Sequence, residues 1–258
     1  MPLLLLLLPF SPHLWFGASR RDEKKARRRC LCLGIRTPIP ETCRRRWRHL
    51  GSSLMASPFP ASPPGAKLLG LKSPIPFKWI KYAMHRLEYG MNFAYGGTGV
   101  FDTLVAAPNM TTQIDILEKL IKDSVYTKKD LESSLFLVSV AGNDYAYYIA
   151  TGGTFAGLPA FSGRLMNQLV ADLKRIRGLG AKRIAVTSLP PLGCLPRSTA
   201  EFSFKQCNGS ANLGASYHNS LLQNAVAELN KETKASSYVV LDLYTSFSDI
   251  FQKKQGNS

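Results

Sequence analysis

The sequence lacks an apolar run long enough to span a bilayer, and it contains few histidines. The run at its start holds six leucines at 3–8, bracketed by prolines, whereas a transmembrane helix needs about 20 apolar residues. No transmembrane segment is therefore expected. Only 4 histidines are present, and none lies at finger-like spacing from Cys30, Cys32 and Cys43. A zinc site or other metal centre is therefore not expected.

Acidic residues are also scarce, and the resulting net charge of +16 is unevenly spread. Residues 1–66 hold 12 of the 33 basic residues but only 3 of the 17 acidic ones. The basic runs at 20–29 and 44–48 show neither helical nor strand periodicity, which indicates a disordered or targeting tail. A nucleic-acid patch is the less favoured alternative, because no aromatic platform or binding module accompanies them. No nucleic-acid partner is expected.

The start of the chain and its cysteines bear on localisation. The leucine run resembles a secretory signal without its basic region, and the Arg- and Ser-rich, acid-poor segment also fits an organellar transit peptide. Cys194 and Cys207 would suit an oxidising compartment if they were bridged, although their spacing alone does not establish the bond. The sequons that begin at Asn109 and Asn208 point the same way. These features leave both secretion and organellar targeting open.

The chain divides into a tail at 1–65 and a domain at 66–258, separated by a Pro-, Ser- and Gly-rich stretch at 57–65. Hydrophobic patterning within the domain predicts alternating strands and helices. Such alternation predicts right-handed crossovers and a parallel α/β sheet covered by helices on both sides. The predicted strands are 89–94, 134–141, 183–190 and 238–244, and the predicted helices are 111–122, 161–177 and 211–230.

Two polar or glycine-rich stretches follow predicted strands and could carry chemistry. "NFAYGGTG" (92–99) follows one strand and "GND" (142–144) follows another. Ligands of open parallel sheets bind outside the carboxyl ends of the strands. A backbone N–H and an Asn side-chain N–H that converge there would form an oxyanion hole for acyl transfer. The alternative is that these are ordinary turn residues.

Several motifs in one order resemble a known family. They are "YGMNFAYGGTGVFDT" (89–103), "LVSVAGNDY" (137–145), "KRIAVTSLPPLGCLPRSTA" (182–200), "CNGSANLGASYHNSLL" (207–222) and "VVLDLYTSF" (239–247). From about residue 66 to 251 the chain is similar to the plant GDSL esterase/lipase family of SGNH hydrolases.

The resemblance carries expectations about fold and chemistry. It implies a flavodoxin-like three-layer α/β/α fold and a secreted, cofactor-free hydrolase of carboxylic esters, acting on lipid or other acyl-ester substrates. It also implies that Gly96 and Asn143 form the oxyanion hole, with Gly97 as the alternative glycine. Ala141 stands where the family's Gly-x-Asn-Asp block has glycine.

The chain also departs from the family pattern. It contains neither the Gly-Asp-Ser nucleophile motif nor the Asp-x-x-His motif, and no Gly-x-Ser-x-Gly elbow replaces them. None of the histidines can be carried over, and His218 is expected to be a structural residue of a helix. We therefore expect no catalytic Ser or His, no hydrolysis by the chain as written, and a sheet that lacks its first strand.

Three functional hypotheses follow from these observations. The first is an ester hydrolase of this family represented by an incomplete chain. The second is a non-catalytic family member that binds acyl esters or glycans. The third is a protein that binds nucleic acid through residues 20–48. The sequence does not determine the substrate, the mature N-terminus or the oligomeric state.

Overall fold

The computed structural model describes residues 30–34 and 72–255. Six parallel strands form one sheet in the order β2-β3-β1-β4-β5-β6. The strands are β1 (Cys30–Gly34), β2 (Ile75–Pro76), β3 (Met91–Asn92), β4 (Leu135–Ser139), β5 (Arg183–Thr187) and β6 (Tyr238–Leu241).

From β3 onward, α-helices connect the strands and give the α/β architecture that the sequence predicts. They are α1 (Met110–Lys122), α2 (Lys128–Ser133), α3 (Gly142–Ala150), α4 (Leu158–Gly178), α5 (Pro196–Thr199), α6 (Gly209–Thr233) and α7 (Leu243–Gln255). Four 3-10 helices complete the described part: Phe77–Tyr82, Met84–Tyr89, Leu192–Cys194 and Ala200–Phe202. Helix α4 contacts both α1 and α6. The parallel sheet with its helices is consistent with the expected α/β/α fold.

Local sequence explains where several helices begin. The Asn109 side chain accepts a hydrogen bond from Thr112 N at the start of α1, and the Asn208 side chain accepts one from Ala211 N at the start of α6. A capping box formed by Thr127 begins α2. Each cap supplies an acceptor for a backbone N–H that has no partner within the first helical turn.

The core lies between the sheet and the apolar stripes of its long helices. In β4, Phe136 and Val138 are completely buried. They alternate with half-buried neighbours along the strand, as the twofold period of a strand requires. The helices contribute a matching set of fully buried residues, each worth roughly 1.5–3 kcal/mol of burial. This set includes Ile114 and Leu117 from α1, Leu165 and Leu173 from α4, and Leu222 from α6.

The expectation that the sheet lacks its first strand is wrong. Strand β1 lies between β3 and β4, with Cys32 opposite Asn92 and Cys30 opposite Leu135. This is the interior position of the first strand in a flavodoxin-like sheet. The physical reason is that β3 and β4 would otherwise leave unpaired backbone groups, and the apolar run "CLCLG" can supply partners. The rest of the predicted tail lies outside the described residues, and the division at residue 65 stays a prediction.

The predicted strand at 238–244 also extends too far. Strand β6 ends at Leu241, and helix α7 begins at Leu243. The side chain of Asp242 accepts a hydrogen bond from Thr245 N at 3.1 Å, as a helix-capping residue does. Hydrophobic patterning could not locate this boundary because Leu243 and Tyr244 continue the apolar run.

Candidate functional site

Two long loops leave the carboxyl edge of the parallel sheet. The glycine loop (residues 93–109) joins β3 to α1, and the disulfide loop (residues 188–208) joins β5 to α6. Between them along the sheet, β4 leads through Val140 and Ala141 directly into α3. Because all of the strands are parallel, these three connections begin at the same edge of the sheet.

Asn143 and Asp144, in the first turn of α3, hold the glycine loop. The Asn143 Nδ2 group donates a hydrogen bond to the Thr98 carbonyl at 2.9 Å. The Asp144 carboxylate accepts hydrogen bonds from Val100 N at 3.0 Å and Phe101 N at 2.8 Å. The structure thus joins the two polar stretches that the sequence singled out.

The glycines of this loop are required by close packing. Gly97 has a φ of +91°, and a Cβ there would also collide with the Val105 side chain. A Cβ on Gly99 would collide with the Asp144 carboxylate. Glycine lets the backbone turn left-handed and approach these side chains without that collision. Gly96 is exposed, whereas Gly97 is buried.

The oxyanion-hole assignments of Gly96 and Asn143 stay predictions. Asn143 is half-buried, and the hydrogen bond to Thr98 uses one of its two amide N–H groups. No residue in the part of the chain that the structure describes accepts the second N–H. An acceptor on a ligand could therefore use it.

Asp144 is a buried charge whose importance sequence reasoning missed. It is 1% exposed, and burial raises the pKa of its carboxyl to about 6, although backbone hydrogen bonds, foremost those from Phe101 and Val100, act to lower it. The signal was its position beside Asn143 at a strand end. A sequence cannot show that both carboxylate oxygens would be bound by a loop 43 and 44 residues earlier in the chain.

A second supporting residue, Gln113, lies behind the glycine loop. It is buried on α1, and its Nε2 group donates to the Pro108 carbonyl at 2.9 Å and to Thr98 Oγ1 at 3.4 Å. Thr98 Oγ1 in turn donates to the Tyr95 carbonyl at 3.0 Å. Gln113 therefore supports the backbone of the loop whose Thr98 carbonyl receives the Asn143 amide.

Ala141 adopts a conformation that explains why the family pattern has glycine at this position. Its φ is +84°, in the left-handed region that costs a residue with a Cβ roughly 1–2 kcal/mol. Its methyl group is fully buried, and burying one such group stabilises a protein by about 0.8 kcal/mol. Burial of the methyl group offsets part of this cost, and the remainder is small enough for alanine to be tolerated here.

His218 is part of a buried hydrogen-bond network. It is 1% exposed, and its Nδ1 atom lies 3.0 Å from the Tyr145 hydroxyl. That hydroxyl donates to Ser162 Oγ at 2.9 Å. Burial lowers the pKa of His218 to about 4, so the imidazole is neutral near pH 7. These contacts fit the expected structural role. His85 lies on an exposed 3-10 helix position, and the other two histidines lie outside the described residues.

Neutral groups and a cross-link hold the disulfide loop. Cys194 and Cys207 are bridged, which settles the pairing that the sequence left open. The Asn219 side chain accepts from Leu189 N at 2.7 Å and donates to the Leu189 carbonyl at 2.9 Å. Asn212 accepts from Gly193 N at 2.7 Å. Helix α6 therefore fixes this loop through two amide side chains.

A shallow polar groove also opens between α6 and the start of α7. The Asp242 carboxylate within it already accepts hydrogen bonds from Thr245 N and Thr245 Oγ1. The groove is lined by Ser216, Asn219, Ser220, Gln223, Asp242, Tyr244 and Thr245.

Among residues 72–251, no cluster of three or more His, Cys, Asp or Glu side chains could hold a metal ion.

The sequence predicts no transmembrane segment, and the length and composition of the helices bear on that prediction. None of the described helices combines the length and apolar character that crossing a bilayer requires.

Comparison with known proteins identifies relatives of this chain. The sequence profile of the family described as GDSL-like Lipase/Acylhydrolase matches residues 50–258. GDSL esterase/lipase At5g03610 of Arabidopsis thaliana is 51% identical over 194 residues, which cover 74% of this chain and 54% of the relative. GDSL esterase/lipase At3g09930 of the same plant is 49% identical over 192 residues, which cover 73% and 54%.

A more distant relative gives the same coverage. GDSL esterase/lipase At2g36325, also from Arabidopsis thaliana, is 39% identical over 196 residues, which cover 73% of this chain and 54% of the relative. The chain thus spans about half the length of the curated relatives it matches.

Proposed function

Because this chain belongs to the GDSL-like lipase/acylhydrolase family, we propose that it carries the oxyanion-hole half of a carboxylic ester hydrolase. The observation that supports this proposal is the pair of contacts between α3 and the glycine loop. Asn143 donates a hydrogen bond to the Thr98 carbonyl, and Asp144 accepts hydrogen bonds from Val100 N and Phe101 N of the same loop. An uncharged N–H donor and a glycine-rich backbone are thereby joined at a strand end.

In this proposal, Gly96 N and Asn143 Nδ2 donate hydrogen bonds to the carbonyl oxygen of a bound ester. That oxygen gains negative charge as a nucleophile attacks, so the donors stabilise the transition state more than the substrate. The Thr98 carbonyl fixes the plane of the Asn143 amide before substrate arrives. Such a donor, when removed, typically costs about 10²–10³-fold in kcat.

We propose that the nucleophile and the base are the half of the site that the chain as written does not carry. Strand β1 fills the first-strand position, and the family's Gly-Asp-Ser motif follows that strand. Here Gly34 is followed by Ile35 and Arg36, and no Asp-x-x-His motif occurs in the sequence. We propose that the chain as written does not turn over esters. An oxyanion hole without its triad retains only weak residual catalysis.

We further propose a secreted protein whose site binds small lipid or acyl-ester ligands and needs no cofactor. The Cys194–Cys207 bridge supports this localisation, since disulfides persist in oxidising compartments. The second candidate, a non-catalytic binder of acyl esters, is favoured by one observation. The loop contacts of Asn143 form even though the motifs for the nucleophile and base are absent.

A transcript read and an esterase assay test the proposal together. The native transcript is sequenced across both ends of its coding region, and each product is assayed with p-nitrophenyl esters of short and medium acyl chains. The 258-residue chain should show no turnover. A longer product containing both missing motifs should hydrolyse the esters, and Asn143→Ala should lower its kcat about 10²–10³-fold.

Asn167→Ala is the matched control, because Asn167 is exposed on α4. Turnover by the 258-residue chain would overturn the assignment of inactivity. Equal effects of Asn143→Ala and Asn167→Ala would overturn the oxyanion role. The remaining outcome is that the transcript encodes no product longer than this chain and that the chain binds an ether analogue of the ester. The protein is then a non-catalytic binder.

A further inference from the structure

Both sequons in the described part of the chain have their asparagine at the start of a helix. Asn109 caps α1 and Asn208 caps α6. An Asn-x-Ser/Thr triplet is only a weak indication of N-glycosylation by itself. The two sites can be told apart by what their side chains already bind and by how exposed their neighbours are.

The sequon at 109–111 is fully engaged in the fold. The Asn109 Oδ1 atom accepts from Thr112 N at 2.9 Å and from Thr112 Oγ1 at 3.0 Å, and its Nδ2 group donates to Asp102 at 2.8 Å. The sequon hydroxyl, Thr111 Oγ1, lies 3.3 Å from both carboxylate oxygens of buried Asp172. A transferase would also have to reach a triplet whose middle residue, Met110, is fully buried.

The sequon at 208–210 is almost free. The Asn208 Oδ1 atom accepts from Ala211 N at 3.0 Å. Within the described residues, nothing accepts a hydrogen bond from its Nδ2 group. Gly209 and Ser210 are exposed, as is Cys207 on the preceding side. The nitrogen that a glycan would join is therefore the one atom of this amide that the fold does not use.

The helix cap would survive modification at Asn208. Replacing one hydrogen on Nδ2 with a sugar leaves Oδ1 as an acceptor, so Ala211 N keeps its partner. The Nδ2 group of Asn109, by contrast, already donates one of its two N–H groups to Asp102. A chain glycosylated at Asn208 can therefore keep the hydrogen bonds that this residue makes within the described structure.

The neighbouring cross-link provides independent support. Cys207 precedes the asparagine directly and is bridged to Cys194. Structural disulfides form in the secretory route and outside the cell, and surface glycosylation of Asn-x-Ser/Thr belongs to secreted proteins. The chain thus has a disulfide beside the same sequon whose acceptor nitrogen is free.

We propose that Asn208 carries an N-linked oligosaccharide and that Asn109 does not. The donor is a lipid-diphosphate-linked oligosaccharide, and the reaction is catalysed by a transferase of the secretory pathway. The Asn208 Nδ2 atom attacks the anomeric carbon of the first sugar and loses one proton to a base of the transferase. The N–C bond forms as the C–O bond to the diphosphate breaks, and the lipid diphosphate leaves.

The test is to produce the full chain with its own N-terminus in plant leaf cells. A parallel preparation carries an added secretory leader. Digestion with an amidase that removes N-glycans converts each modified asparagine to aspartate, which peptide mass spectrometry then locates. We expect conversion at Asn208 and none at Asn109 in both preparations.

Hydroxyl variants provide matched controls that keep both helix-capping asparagines. Ser210→Ala should abolish the glycan, Ser210→Thr should retain it, and Thr111→Ala should leave it unchanged. Conversion at Asn109, or at neither site, overturns the proposal. Glycosylation that requires the added leader also overturns it, since the native chain would then not carry the modification.

Discussion

The glycine loop and the disulfide loop leave the same edge of the sheet but are held by different chemistry. The glycine loop depends on the buried Asp144 carboxylate, which accepts two backbone N–H groups. The disulfide loop depends on the Cys194–Cys207 cross-link and on the neutral amides of Asn212 and Asn219. The stability of the glycine loop therefore depends on pH, and that of the disulfide loop depends on reductant.

This difference matches what each loop does in the proposed function. In that proposal the glycine loop supplies backbone N–H groups to a ligand, so its peptide planes have to be oriented by an acceptor from outside the loop. A carboxylate can accept from two successive N–H groups, which a single amide oxygen does less well. The disulfide loop orients no proposed catalytic group, and a cross-link that merely restricts it is sufficient.

The largest expected effect comes from removing the disulfide. Replacing both Cys194 and Cys207 with alanine should lower the free energy of unfolding by about 3 kcal/mol, the loop-closure value for a loop of this length. Urea denaturation measures the change, and hydrogen exchange at Gly193 N and Asn208 N should accelerate. Reductant should lower the stability of the parent chain but not of the variant. Equal acceleration of exchange at Val100 N would show that the disulfide also stabilises the glycine loop, so that the two loops are not stabilised independently.

A smaller loss is expected from Asp144→Ala. The N–H groups of buried Val100 and half-buried Phe101 lose their acceptor, at about 1–3 kcal/mol for each buried group, but the cost of burying a charge disappears as well. We expect a net loss of about 2 kcal/mol in urea denaturation. Exchange at Val100 N and Phe101 N should accelerate while exchange at Gly193 N stays unchanged. Asp249→Ala, at an exposed position of α7, is the control and should have little effect.

The effect that is smallest per pH unit comes from titration, where Asp144 and His218 act in opposite directions. The pKa of Asp144 is raised from 3.8 to about 6 by burial, so its stabilising contribution is complete below 3.8 and is lost as pH rises through 6. The pKa of His218 is lowered from 6.5 to about 4 by burial, so its contribution is complete above 6.5 and is lost as pH falls through 4.

Because these two contributions oppose each other, Asp144→Asn should leave the contribution of His218 to the pH dependence of stability without its counterpart. Between the two pKa values, the free energy of unfolding of this variant should rise with pH more steeply than that of the parent chain. The added slope is at most about 1.4 kcal/mol per pH unit. Urea denaturation across this interval measures it. An unchanged slope would contradict the buried-charge explanation of the glycine loop.

Sequence patterning predicted most of the fold because the elements concerned are strongly periodic. The α4 and α6 predictions fall within the observed helices, and the strand predictions cover β3, β4, β5 and β6. Strand β1 was missed because its five residues lie within a basic segment. Such a short run can be recognised as a strand only from the two neighbours that need its backbone groups.

The candidate site was predicted in part for a similar reason. Asn143 and the glycine stretch could be recognised because strand ends and family motifs mark them. Asp144 and Gln113 could not be assigned roles, because their partners at Val100, Phe101 and Thr98 depend on contacts between separate elements.

The sequence by itself determined the family, the α/β architecture and the absence of the Gly-Asp-Ser and Asp-x-x-His motifs, since local patterns and motif order carry these properties. Only the tertiary structure decided that β1 completes the sheet, that Asp144 binds the glycine loop and that no described residue accepts a hydrogen bond from the Asn208 amide nitrogen. Each of these depends on which distant backbone groups need a hydrogen-bond partner, and only folding brings those groups together.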